Sequence, residues 1–247
     1  MKKYLLKLAD DSLFMGHRLS EWCGKGPYLE EDIALTNIAL DQIGQANYFF
    51  EYASKLDEQN KSADQLAYLR YEPEYLNAHW VELPNGDYSQ TILKVYVFSV
   101  YQKLLYQALT QCLDEELSAI AQKSLKEVKY HYTHSVSWMK IFAQGTAESR
   151  RRLEDSIAHI WEFSQGLFAK VEEEPLLVER YAIPDTEDLY LDFLKKIEQD
   201  FEDFKLTFPG REAFMQKGSR TGNHTEYFGY ILCELQYLQR AYPGCEW

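Results

Sequence analysis

Turn residues are scarce in this chain: 12 glycines and 7 prolines among 247 residues. An all-β fold with many short strands needs more of both, so that class is excluded. Cysteine is scarce as well. Cys23, Cys112, Cys233 and Cys245 include no C-x-x-C pair, which removes a zinc knuckle and a thioredoxin-type motif. The thiols are expected to be reduced and mostly buried, in a cytoplasmic protein. No stretch reaches the roughly 18 apolar residues that suggest a membrane span. The opening MKKYLLKLADD does not read as a secretory signal, because Lys7, Asp10 and Asp11 interrupt its apolar run. Positive charge is also in deficit: 26 Lys and Arg face 39 Asp and Glu, a net charge of −13. Nucleic-acid binders show the opposite balance. The run Arg150–Arg151–Arg152 lies in a helical pattern and reads as a solvated face. Small molecules and other proteins are the expected partners, not nucleic acid or membrane.

Apolar residues make up 46% of the chain, enough for a packed core, and most of them recur at helical spacing. Helices are expected at about Tyr4–Cys23, Glu30–Leu56, Ser89–Leu113, Glu115–Ala143, Glu148–Val171, Glu187–Phe208 and Thr225–Ala241, with a short piece at Leu66–Tyr71. GKGP at Gly24–Pro27, Gly145, Pro209–Gly210 and Pro243–Gly244 act as stops. Glu74–Leu83 is ambiguous, Pro84–Gly86 is a turn, and Glu172–Asp185 reads as a loop. The pattern predicts an all-α protein in one domain, 1–247: a four-helix bundle core with additional C-terminal helices.

Three of these helices carry ionisable stripes. The first holds Asp10, Phe14, His17 and Glu21. The second holds Asn37, Asp41, Gly44 and Tyr48. The fourth holds Glu127, His131, His134 and Trp138. A ferritin-type di-iron centre needs a Glu on each of two helices and a Glu-x-x-His on each of the other two. The sequence lacks that set. No Glu or Asp stands three residues before any of the six histidines, and no acid lies between Gln90 and Gln111. Asp41 is followed by Gly44, and Glu127 by Tyr130, with His131 displaced to the fourth position. The expectation is a vestigial network without metal, in which Glu21, Asp41, Glu127, His131 and His134 pair with one another, joined by Lys103 or Arg18. A degenerate metal oxygenase using Glu21, Asp41, Glu127 and His131 stays open, as does an iron-storage or regulatory protein acting alone. Lys217 and Arg220, near Gly218 and Gly222, are candidate phosphate contacts before the last helix; a surface loop is the other reading.

GHRLSEWCGKGPYLEEDIALTNIALDQIGQA (Gly16–Ala46), the PNG turn, KEVKYH (Lys126–His131) and HTEYFGYILCELQYLQRAYPGCEW (His224–Trp247) together resemble the C-subunit family of phenylacetyl-CoA epoxidase over almost the whole chain. The resemblance implies a ferritin-like, non-catalytic structural subunit. It implies as partners a di-iron A subunit that epoxidises the aromatic ring and other subunits of the complex, including a reductase. It also implies contact with phenylacetyl-CoA at the A–C interface, carried over here to Glu74, Tyr75, Leu76 and Asn77 and to Pro175, Leu176 and Leu177. Glu74 is a poor neighbour for an anionic coenzyme.

Overall fold

A computed structural model describes residues 1–245. Among these residues ten α-helices follow in order: α1 Lys2–Ser20, α2 Leu29–Lys55, α3 Ala63–Tyr68, α4 His79–Glu82, α5 Tyr88–Leu109, α6 Glu115–Gln144, α7 Ala147–Ile160, α8 Glu174–Tyr181, α9 Thr186–Phe204 and α10 Phe228–Ala241. The described residues contain no strand, and the protein is all-α. The first four long helices expected from the sequence are α1, α2, α5 and α6. The block at the C-terminus ends in Glu246 and Trp247, which lie outside the described residues.

The chain divides into two compact units. One comprises 1–84, 171–174 and 218–247, the other 85–170 and 175–217. The sequence pattern predicts a single domain; neither unit is one continuous stretch of sequence, so no linker announces the division.

In the first unit α1 and α2 run antiparallel. An ion pair between Lys2 and Asp57 ties the start of α1 to the end of α2. Gly16 sits where the helices come closest. A Cβ there would lie 2.8 Å from Ile43 Cγ1 and 3.0 Å from the Ala39 carbonyl, so this crossing needs glycine. The turn between them is held by Asp32, which accepts the Gly26 N–H at 2.9 Å. Backbone N–H donors from the turn also hold its carboxyl below the usual range. Phe14, Tyr75 and Phe228 pack edge to face, with centroids 4.8 to 5.7 Å apart.

In the second unit α5 and α6 are also antiparallel. Ser118 Oγ donates to the Thr110 carbonyl near the turn, Ser99 meets Ser135 midway, and Tyr88 packs on Trp138 and Phe142 at the far end. Asp87, Asp114 and Asp185 cap α5, α6 and α9, accepting from Gln90, Leu117 and Glu187 N–H at 3.0, 2.9 and 2.7 Å.

Several expected boundaries are corrected. The first helix stops at Ser20, not Cys23, and the third at Leu109, not Leu113. The fifth ends at Ile160, where a 3₁₀ turn over Trp161–Phe168 replaces it. That geometry repeats every three residues, and it places Trp161, Ser164 and Leu167 together in the core. The Glu172–Asp185 loop contains α8. Pro175 reads as a breaker, but in the first turn its missing N–H costs nothing. Glu174 caps the turn by accepting the Val171 N–H at 2.7 Å. Cys23, Cys233 and Cys245 are exposed and only Cys112 is buried, against the expectation of mostly buried thiols.

Candidate functional site

The first unit contains four acid–base pairs that water scarcely reaches, three of which cluster. Asp10 lies against Arg70, Asp11 against Arg220 and Glu82 against His224, and all six side chains are nearly inaccessible. All three pairs surround the stretch Glu74–Ala78. Asp10 Oδ2 accepts from Arg70 Nη1 at 3.0 Å and from the Leu76 N–H at 2.8 Å. Asp11 takes both Arg220 Nη atoms, at 3.1 and 2.8 Å, and the Ala78 N–H at 2.7 Å. Arg70 also donates to the Glu74 carbonyl and Arg220 to the Leu76 carbonyl. Glu82 accepts from Asn77 Nδ2 and the Thr225 N–H, each at 2.7 Å, and lies 2.7 Å from His224 Nδ1. Arg18 holds the Glu82 carbonyl at 3.0 and 2.6 Å.

The arrangement fixes backbone. A stretch without regular hydrogen bonding has its N–H and carbonyl groups satisfied by side chains from α1, from Arg70 and from the residues before α10. Burial pushes the Asp10 carboxyl up, and the Arg70 guanidinium and the Leu76 N–H pull against it. Tyr75, under the Arg70 guanidinium at 4.0 Å, is pushed up to about 12 by burial. Lys7 meets Glu174 at 2.5 Å, and burial first and the Arg220 charge second bring it down to about 8.

In the second unit Tyr96 and Tyr132 both donate to Asp200 Oδ2 at 3.0 Å, and Lys196 reaches Oδ1 at 2.7 Å. Burial raises the Tyr96 hydroxyl well above its ordinary value, and the Asp200 charge adds to the shift. Tyr96 stands on the helix that lacks the bundle carboxylate.

The expected site residues fall as follows. Glu21 and Asp41 lie in the first unit, and Glu127, His131 and His134 in the second. Glu21 is exposed and paired with Arg18 at 2.8 Å. His131 is buried, and Tyr130 packs against both histidines. Lys103 lies 4.1 Å above the Tyr132 ring. Among the described residues no three His, Cys, Asp or Glu side chains are grouped to hold a metal. The residues present do not fit a di-iron centre.

The polar face of α2 is corrected. Its sequence suggests a stripe facing an internal network through Asp41, but Asn37 is exposed and Asp41, Gly44 and Tyr48 are half-exposed. The buried face is the opposite one, through Leu35, Ile38, Ala39, Gln42, Ala46 and Phe49. Arg220 is corrected too: its guanidinium is inside and committed to Asp11, so it is no phosphate contact. Lys217 is exposed.

Of the proposed substrate residues, Tyr75 and Asn77 are buried and bonded inward. Glu74 and Leu76 line a cleft of about 530 Å³ with Leu6, Leu66, Pro73 and Lys61. Leu176 is exposed and Leu177 buried.

Asp11, Arg70, Glu82 and His224 carry the buried network, and helical spacing could not find them. Their partners lie 60 to 209 residues away. The one local signal was an acidic pair, Asp10–Asp11, closing the apolar run of the first helix.

Two comparisons with known proteins agree. The chain is 36% identical over 244 residues to the C subunit of 1,2-phenylacetyl-CoA epoxidase from Escherichia coli (strain K12), a match that covers 99% of this chain and 98% of that protein. The family model described as phenylacetic acid catabolic protein matches residues 1–247. With the match running from end to end, the chain belongs to the phenylacetic acid catabolic protein family.

Proposed function

We propose that this chain is a non-catalytic structural subunit of a phenylacetyl-CoA 1,2-epoxidase in aerobic phenylacetate breakdown. It pairs with a di-iron catalytic A subunit and keeps it competent, alongside the other subunits of the complex. The iron belongs to the partner, and this chain binds no cofactor. It works in the cytoplasm.

One observation carries this reading. Asp10 and Asp11, at the heart of the first unit, are each paired with an arginine of the same unit and engaged by a backbone N–H, and Glu82 is held by His224 and the Thr225 N–H. Carboxylates so engaged give shape and register, not an open metal position. Glu74 and Leu76, at the mouth of their cleft, are proposed to meet the acyl-CoA where the two subunits join, and Lys217 and Leu176 are further contacts.

Co-expression with the catalytic subunit tests the proposal. The pair, supplied with a reductase, is expected to epoxidise phenylacetyl-CoA, and neither half alone is. Full activity of the catalytic subunit alone would refute the structural role. Stoichiometric iron in this chain after anaerobic reconstitution would favour a metal oxygenase or an iron-storage protein instead.

A further inference from the structure

Helix α2 presents an outward face that remains exposed among the described residues. Leu29, Ile33, Asn37, Leu40, Gly44, Asn47 and Glu51 follow at spacings of four, four, three, four, three and four. At 3.6 residues per turn they occupy about 80° of the helix surface. Leu29, Ile33 and Leu40 are 73%, 50% and 61% exposed. Three large apolar side chains in line on one helix are unlike singly scattered surface residues.

Gly44 continues the same line. A Cβ there would meet no atom within 4 Å. The position is helical, eleven residues from the helix end. Glycine is a poorer helix former than alanine, and at Gly16 a close crossing inside the unit explains its use. No such crossing exists at Gly44. A glycine next to an exposed apolar ridge is what a second helix needs to approach closely from outside.

Charge narrows the occupant. Glu30 and Asp41 run along one edge of the ridge and Glu51 closes it. A second copy would bring the same acids to the same edge, on a body of net charge −13.

We infer that the α2 face through Leu29, Ile33, Leu40 and Gly44 receives a helix of the catalytic subunit, one with an apolar ridge and a basic flank, crossing closest at Gly44. The inference rests on the reading that such a subunit pairs with this chain. It adds where the pairing occurs.

The test uses the full-length chain and the catalytic subunit of the same epoxidase. Kd is measured by titration calorimetry for wild type, Leu40→Glu, Gly44→Leu and a control, Leu191→Glu at an exposed position of α9. The two α2 variants are expected to weaken binding about a hundredfold or more, and the control to bind as wild type. Thermal unfolding of each isolated chain accompanies the titration. Gly44→Leu should melt no lower than wild type, so its binding loss is not a folding loss. Unchanged Kd in both α2 variants overturns the docking face while leaving the pairing intact. A wild-type chain that does not bind the subunit overturns the pairing, and the docking face with it. Self-association of the isolated chain that Leu40→Glu abolishes would assign the face to a second copy and also overturn the inference.

Discussion

Asp10 and Arg70 show how a single pair can carry a whole loop. Arg70 contacts Asp10, the Leu66 and Glu74 carbonyls and the face of Tyr75. Replacing it with methionine leaves a buried carboxylate without its cation, a change that typically costs about 3–5 kcal/mol. Urea unfolding of Arg70→Met should show that loss. Removing both charges together, with Asp10→Asn added, should recover part of it. Lys7 gives a pH signature. Its ammonium is held near pKa 8 in the folded chain against 10.5 when unfolded. Between those values the unfolded chain binds the extra proton, so stability rises with pH, and the gain is lost as pH falls through 8. Denaturation of wild type against Lys7→Met from pH 7 to 10 should show the wild type gaining by up to about 1 kcal/mol per pH unit. A flat difference would place the Lys7 titration outside that window.

At the scale of elements, α9 is fixed by one carboxylate. Asp200 gathers hydroxyls from α5 and α6, and its helix packs aromatic residues on Trp161. Asp200→Ala strands the Tyr96 hydroxyl in the interior, at a cost of about 1–3 kcal/mol. Hydrogen exchange should quicken in α9 while α5 and α6 stay protected. For α2, Gly44→Ala is expected to stabilise the isolated chain by up to about 1 kcal/mol, since the added methyl meets nothing; chemical denaturation reads this directly. The long helices were legible because their apolar residues recur at helical spacing and Asp or Gly marks their ends. The 3₁₀ turn at Trp161 and the helix that contains Pro175 were not. Their conformation follows from aromatic packing and from a cap by Glu174, neither of which periodicity records.

For the molecule as a whole, exposure sorts the four thiols. Cys23, Cys233 and Cys245 lie at the surface, while Cys112 is buried and burial raises its thiol. A thiol-specific dye should label three groups rapidly in the native chain and the fourth only on unfolding. Four fast groups would contradict the placement of Cys112. None of the described helices is long and apolar enough to cross a membrane. The net charge of −13 matters for association: pairing with a partner of basic flank should slow as salt is added.

The sequence by itself determined the helical class, the four long helices, the missing carboxylate-x-x-His set and the family resemblance. These depend on local spacing and residue identity, which one chain displays in full. It also singled out the α2 face through Gly44, but it could not say which way that face points. Tertiary structure decided this. Leu35, Ile38, Ala39 and Phe49 are buried within the unit, so the helix turns the line through Asn37, Leu40 and Gly44 outward. Tertiary structure also decided that Asp11 meets Arg220 and Glu82 meets His224. A buried charge must find its counter-charge wherever the chain brings one near, and that partner is set by packing, not by distance along the sequence.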